Sequence, residues 1–534
     1  MAIRKVYQVG LLTLVVSLVT VAASAQSFRV QCPTSTITHP VAANNNTEPA
    51  YTGPTTFTTN TAGGYQVPAS NVNGAIKCQQ ISGGDGYASM GDGTQTYMFS
   101  FGPLSGLANI AAGQPGTVFP SEFNTPFSGP TVQPGEPATT DDATPGAFTY
   151  NGAIGQVSDL DRISAGGCTA PCIDGHMDPR QMLDVGVMNG NIPAPLMAID
   201  EDDEFFLTLS NVGMIMRPDL FEQHTVHFHG YPNASSFYDG VPDASVAINI
   251  GGSFTYYYLA PDAGTYFWHC HISPPEHLQM GMVGQIYVRP RQNRILAGNS
   301  LYDALKLQQA DPRTACISAT DILCSNPSPA GAVTGSAPRA ATGNYAYNDG
   351  DGSTYYDVEY PLQIHGFDPN FHFVGMTFNP EGFTDMKDKY FLLNGRSYPD
   401  TVTPGPLETG SADGVNHYSQ PLPSIINIPA GKKALLRISD LDVTEYQTLA
   451  SLGIPMQVVG YNAKLLRDQA GNNLYYTTNS ITLAGGESLD VILDASNTTL
   501  YPSGSVFYLY TPNLDHLSND AENFGGLMTE IHIN

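Results

Sequence analysis

The chain has 534 residues, and 48 Asp and Glu against 21 Lys and Arg give a formal charge of −27. Such a surface repels nucleic acid and anionic lipid. It suits cationic partners or metal ions, or simply keeps an exported protein in solution. With 41% hydrophobic residues, 54 Gly and 40 Pro, the composition is globular and favours strands and turns over helices. The length suggests about two to four domains.

Residues 1–25 read as a secretory signal. Arg4 and Lys5 form its charged start, 11–21 its apolar stretch, and Ala23-Ser24-Ala25 a small-residue cleavage site. The apolar stretch is too short to span a bilayer, and no second one follows. An exported protein, periplasmic or extracellular and without a membrane anchor, is expected. Residues 26–90 are rich in Thr, Asn and Gly and read as an irregular N-terminal arm. The alternation of 94–101 (TQTYMFSF) predicts a first strand, and 103–180 reads as a long Gly/Pro-rich insertion.

From Met182 the strand pattern is dense. Ile192-Pro193-Ala194-Pro195 leads into 196–212, whose acidic stretch 200–204 reads as a solvated turn in preference to a calcium site. Then come His-Thr-Val-His-Phe-His-Gly at 224–230, an Asp239-Gly240 turn, strands over 247–259, and Trp-His-Cys-His at 268–271 in a strand ending near Val288. Residues 291–345 read as a linker with a short helix at Leu301–Gln309 and an Ala/Gly/Ser/Pro stretch at 327–343. A second module runs over 346–534, with strands predicted at 425–438, 454–459, 488–493, 505–510 and 522–533.

Six of the thirteen histidines lie in the two stretches 224–230 and 268–282. Extended backbone alternates side-chain direction. His227 and His229 therefore leave one face, as do His269 and His271, while Cys270 points the opposite way. His224 and His277 are placed to join the Cys270 thiolate, with Met282 or Met280 as a weak axial sulfur. Two His, one Cys and a distant Met form the blue-copper ligand set. Zinc also takes His and Cys, but it would leave four imidazoles on the other face unexplained. Cysteine arithmetic agrees. Six of the seven cysteines can pair by proximity, as Cys32–Cys78, Cys168–Cys172 and Cys316–Cys324, and the odd one is Cys270.

These stretches resemble the copper motifs of multicopper oxidases, a cupredoxin family, and Tyr238-Asp239-Gly240-Val241-Pro242, Ala263-Gly264-Thr265-Tyr266-Phe267-Trp268 and residues 390–400 (YFLLNGRSYPD) resemble family sequences as well. The resemblance implies an all-β fold of tandem cupredoxin-like Greek-key sandwiches with long loop insertions. The copper-binding domain would cover 91–290, and 346–534 would be a second sandwich without copper. The resemblance makes His224, Cys270, His277 and axial Met282 a type 1 copper site. It makes His227, His229, His269 and His271 half of a type 2/type 3 cluster. Asp239 would either assist proton delivery during dioxygen reduction or merely cap a turn. One departure is the loop from Cys270 to His277, whose six intervening residues, with Pro274-Pro275, exceed the family's usual spacing.

The implied activity is one-electron oxidation of a donor at type 1 copper, coupled to dioxygen reduction at the cluster, with Cys270, His269 and His271 as the electron path. The family's cluster draws on two domains. This chain supplies four imidazoles from one, while His365, His372, His417, His516 and His532 are isolated in the second module. Homo-oligomerisation or a partner protein would complete the cluster. The competing readings are a type 1 copper electron carrier without oxidase activity and a nitrite-reductase-like enzyme. The second histidine of His-Cys-His, His271, argues against the latter.

Overall fold

The computed structural model describes residues 31–123, 188–214, 216–230, 235–260, 262–311, 326–331, 337–375, 382–409 and 417–534. The signal, the Cys168–Cys172 and Cys316–Cys324 pairings and most of the 103–180 insertion lie outside them.

The fold is mostly β, as expected, and forms two sandwiches in tandem. One sheet of the first contains β1 (Ile76–Ser89), β2 (Gln95–Pro103), β4 (Glu204–Gly213) and β6 (Ser253–Leu259), in the order β2-β1-β4-β6. The facing sheet contains β3 (Met197–Asp200), β5 (His227–Phe228), β7 (Gly264–His269) and β8 (Val283–Arg289), in the order β3-β8-β7-β5. Alternate side chains from both sheets, among them Phe99, Phe101, Leu207, Leu209, Tyr256 and Trp268, close one core around Cys270, Met280 and Met282. A single short helix, α1 (Pro274–Gln279), fills the loop between Cys270 and β8.

The second sandwich pairs a seven-stranded sheet with a five-stranded one. The first is built on Val358–Phe367, Lys433–Asp440, Glu487–Asp494 and Met456–Tyr461. The second is built on Met528–Ile533, Val506–Tyr510 and Gln447–Leu452. Its core of Ile, Leu and Val is separate from the first. The sandwiches meet through polar bonds as well as packing. Gln285 of β8 donates to the Arg437 carbonyl at 3.0 Å and to Ser439 at 2.9 Å, and Thr265 of β7 donates to Asp490 at 2.6 Å. Glu359 lies between Arg289 of β8 and Arg437, at 2.9 Å and 3.0 Å.

The helix predicted at Leu301–Gln309 is present, capped by the Ser300 hydroxyl, which accepts from the Asp303 N–H. Cys32 and Cys78 form a disulfide. Two expectations need correction. The irregular arm predicted over 26–90 contains β1, a 14-residue strand that pairs in parallel with β4 and antiparallel with β2. Its sequence, IKCQQISGGDGYAS, has three glycines and several polar residues, so the usual β signal is weak. Nearly all of it is nevertheless buried.

The acidic stretch 200–204 is a buried hub, not a solvated turn. The Asp203 carboxylate accepts from the N–H groups of Ala75 at 2.7 Å and Asp200 at 2.8 Å. Arg291 grips Asp202 through two bonds of 2.7 Å, and Asn348 donates to both oxygens of Glu201. Buried charge persists only when paired in this way. Arg291 and Asn348 lie 89 and 147 positions away from their partners, beyond the reach of local pattern.

Candidate metal centre

The thiol of Cys270 leaves the end of β7 toward the core and is wholly buried. His277 reaches it from α1, with Nδ1 3.3 Å from Sγ. His224 reaches it from an extended segment tied to Ile248 by two backbone bonds of 3.0 and 3.1 Å, with Nδ1 4.0 Å from Sγ. The Thr225 N–H donates to the sulfur at 3.4 Å. The ligand atoms of His224, Cys270 and His277 lie within 4.8 Å of one another. Met282 is tied to this group by its backbone, accepting from the Cys270 N–H at 3.2 Å and donating to the His277 carbonyl at 2.9 Å.

Gly83 of β1 forms another wall. A Cβ there would stand 2.8 Å from His224 Cδ2 and 3.5 Å from Met282 Cε, so the bare backbone leaves room for both. The His224 ring and the Met282 methyl therefore border the same stretch of Gly83 backbone.

The electrostatics suit a thiolate. Burial alone would raise the Cys270 pKa, but the His277 and His224 imidazoles bring it well below the usual thiol value. Burial likewise opposes charge on His277, yet the Cys270 thiolate and Glu222 lift it to about 9. Glu222 faces the outer edge of His277, with Oε2 3.7 Å from Nε2, and is half-exposed. Glu222 and Gly83 are the two site residues that sequence reasoning missed. Glu222 stands two positions before His224 on an extended segment, a spacing that could have signalled it. Gly83 carries no local signal.

On the other side of the same strand, the histidines gather. His227 pairs with His269 across β5 and β7. The ring of His227 lies 5.0 Å from that of His229 and 5.5 Å from that of His269. His229 Nε2 and His269 Nε2 are 2.8 Å apart. The donor atoms of His227, His229 and His269 lie within 4.8 Å of one another. The ring of His271 stands beside this trio, 4.9 Å from His227 and 5.6 Å from His269.

Two of the rings are oriented by carbonyls. His227 Nδ1 donates to the Asp239 carbonyl at 2.6 Å, and His269 Nδ1 donates to the Cys270 carbonyl at 2.7 Å. This leaves both Nε2 lone pairs directed at the shared space. Burial and the neighbouring imidazoles lower His229 to about 4 and His269 to about 3, so both are neutral donors at physiological pH. The Asp239 carboxylate is 3.7 Å from His227 Nδ1. It also terminates the short Ser236–Tyr238 turn. Gly240, at φ +82°, lets the turn lie directly against the Val226 carbonyl.

Five other histidines are engaged elsewhere. His39 pairs with Glu204, His516 with Glu445 and His532 with Glu530. His365 packs on Phe367, and His372 lies against Gln279.

A buried thiolate with two imidazole Nδ1 atoms beside it, backed by further imidazoles on the opposite face of one strand, has the donor chemistry of a copper site. The donor chemistry fits copper, and Cys270 joins the two groups through its own backbone. The multicopper oxidase family model matches residues 174–293, which hold all these side chains. Laccase abr2 of Aspergillus fumigatus is 33% identical over 117 residues, 22% of this chain and 18% of that protein. Copper-containing nitrite reductase of Rhizobium meliloti is 35% identical over 109 residues, 20% of this chain and 26% of that protein. The matched stretch is under a fifth of the length of Laccase abr2 and of multicopper oxidase MCE of Talaromyces pinophilus, at 18% and 17%. A solved multicopper oxidase superposes over 90% of this chain and 93% of its own, with 13% identity and a TM-score of 0.43.

Proposed function

We propose that the chain is an exported copper oxidase that takes electrons singly from a donor at the Cys270 site and delivers them to dioxygen at the histidine face. The observation that carries this reading is the position of Cys270 between His269 and His271. One strand end puts a thiolate in one donor group and its sequence neighbours in or beside the other. Copper, when bound, would supply the one-electron chemistry. His224, Cys270, His277 and Met282 would hold type 1 copper, and His227, His229, His269 and His271 would hold half of a type 2/type 3 cluster.

The chain's own residues define the rest. Glu222, itself partly exposed beside the buried His277, would orient a donor and accept its proton. Asp239 would hold or pass a proton beside His227. A second copy, or a partner protein, would supply the imidazoles that complete the cluster. The Cys32–Cys78 disulfide supports export into an oxidising compartment. Among the described residues, no helix is long and apolar enough to cross a membrane.

A second reading is an electron carrier built on the Cys270 site alone. It is favoured by the engagement elsewhere of His39, His365, His372, His516 and His532. The two readings separate on one set of variants. His227→Ala and His271→Ala should keep the blue absorption and abolish dioxygen consumption, whereas Cys270→Ser should lose both. Dioxygen consumption at parental rates by the histidine variants would refute the oxidase reading.

A further inference from the structure

The second sandwich holds no cluster of metal-ligating side chains among the described residues, yet it grips the loop that carries His277 and Met282. Helix α1 has only six residues, two of them proline, and its N-cap Ser273 makes no side-chain cap bond. So short a helix has little stability of its own, and its end is held from outside. Gln279 is its last residue, two positions after His277 and three before Met282, and it is wholly buried. The bonds of its side chain go to the second sandwich. Oε1 accepts from the Asp368 N–H at 3.0 Å, and Nε2 donates to Asp388 Oδ1 at 2.9 Å.

Its backbone is tethered as well. The His372 ring lies between the Gln279 carbonyl, at 2.9 Å from Nε2, and the Tyr97 carbonyl of β2, at 2.5 Å from Nδ1. The gripping residues are themselves pinned. The Asp368 carboxylate accepts from the N–H groups of Asn370 and Lys387 at 2.8 Å each, and Thr444 donates to Asp388. A Cβ at Gly366 would overlap the Asp388 carboxylate, so that position keeps the approach open. Phe371, next to His372, packs into the same core as Cys270, Met280 and Met282.

We propose that Gln279, held by Asp368, Asp388 and His372 of the second sandwich, is a positioning residue that fixes how His277 and Met282 meet Cys270. The proposal rests on the type 1 copper reading of that site. The mechanical link is short. Met282 N–H is bonded to the His277 carbonyl across Gln279, so a shift of the gripped residue moves an imidazole and a thioether together. The second sandwich thus becomes a fixed support for the electron-entry site, and the longer Cys270–His277 loop is the part that needs it.

The test uses the full copper-loaded chain and three variants: Gln279→Leu, Asp388→Ala, and the exchange Gln279→Glu with Asp388→Asn. In the exchange, the new carboxylate at position 279 would accept from the Asp368 N–H and from the new amide at position 388, restoring both side-chain bonds. Copper per chain, the thiolate-to-copper absorption band, the copper hyperfine splitting and the midpoint potential are measured, with the melting curve as a check on folding. In Gln279→Leu, one type 1 copper should be retained while hyperfine splitting and potential depart from the parent, and the exchange should return both toward it. A purely adhesive contact would lower the melting temperature and leave the spectrum alone, which would overturn the proposal. If Gln279→Leu does not fold, Asp388→Ala, which removes the acceptor of the Gln279 amide, is read the same way. A parent with no type 1 signal refutes the copper reading itself, and with it the grip. A parent with the signal and spectrally identical variants refutes only the grip.

Discussion

Replacing Glu359 by glutamine should cost about 3 kcal/mol at neutral pH, and the cost should vanish in acid. The Glu359 carboxylate ties the sandwiches together. Arg289 of β8 donates to Oε1 at 2.9 Å and 3.2 Å, Arg437 donates to Oε2 at 3.0 Å, and the Tyr356 hydroxyl donates to Oε2 at 2.9 Å. Both guanidiniums also lie on the Tyr287 ring, at 5.1 and 4.6 Å. Burial alone would raise the Glu359 pKa, but the two arginines bring it from 4.5 down to about 2. At about 1.4 kcal/mol per unit, this depression corresponds to roughly 3 kcal/mol. Loss of one member of a buried ion pair commonly costs about 3–5 kcal/mol, a similar figure. The sign follows from the depressed pKa. The contribution is complete above the unfolded value of 4.5 and is lost as pH falls through about 2. Urea unfolding of parent and Glu359→Gln, followed by far-UV circular dichroism and by the fluorescence of the single tryptophan, Trp268, should show a gap at pH 7 that closes toward pH 2. No gap at pH 7, or a gap unchanged across that range, would refute the assignment.

Gly83→Ala should disturb the thiolate site directly. Its Cβ would meet His224 at 2.8 Å, so weaker copper retention or an altered type 1 resonance is expected, read by metal analysis and paramagnetic resonance. An unchanged spectrum would show that β1 can yield there. Cys32 and Cys78 are 46 positions apart, and a loop of that size should contribute about 4 kcal/mol through the unfolded chain. Cys32→Ala with Cys78→Ala should therefore melt well below the parent, whereas equal melting would place the constraint elsewhere. Glu222→Gln should raise KM for a donor that loses a proton on oxidation and leave the blue absorption in place. Steady-state kinetics with a phenol would check this, and an unchanged KM would remove Glu222 from the donor site.

The site was legible because its chemistry is compressed into two short stretches. Period-two alternation alone separates Cys270 from His269 and His271, and the structure brings His224 and His277 to the thiol as the spacing required. The helix at Leu301–Gln309 was equally local, with its cap adjacent in sequence. What sequence concealed depends on distant partners. Strand β1 looks like a loop because its polar and glycine residues find burial only against β2 and β4. Asp202 looks solvated until Arg291 is folded onto it. The grip on Gln279 joins residues separated by 89 and 109 positions, and no pattern within α1 announces it.

In the proposed function one strand end links two copper-binding groups. Copper per chain on purified, copper-loaded protein, with a paramagnetic resonance spectrum of the same sample, tests it most directly. The account predicts clearly more than one copper per chain and a type 2 signal beside the type 1 signal. One copper per chain with a type 1 signal alone would contradict it and leave an electron carrier.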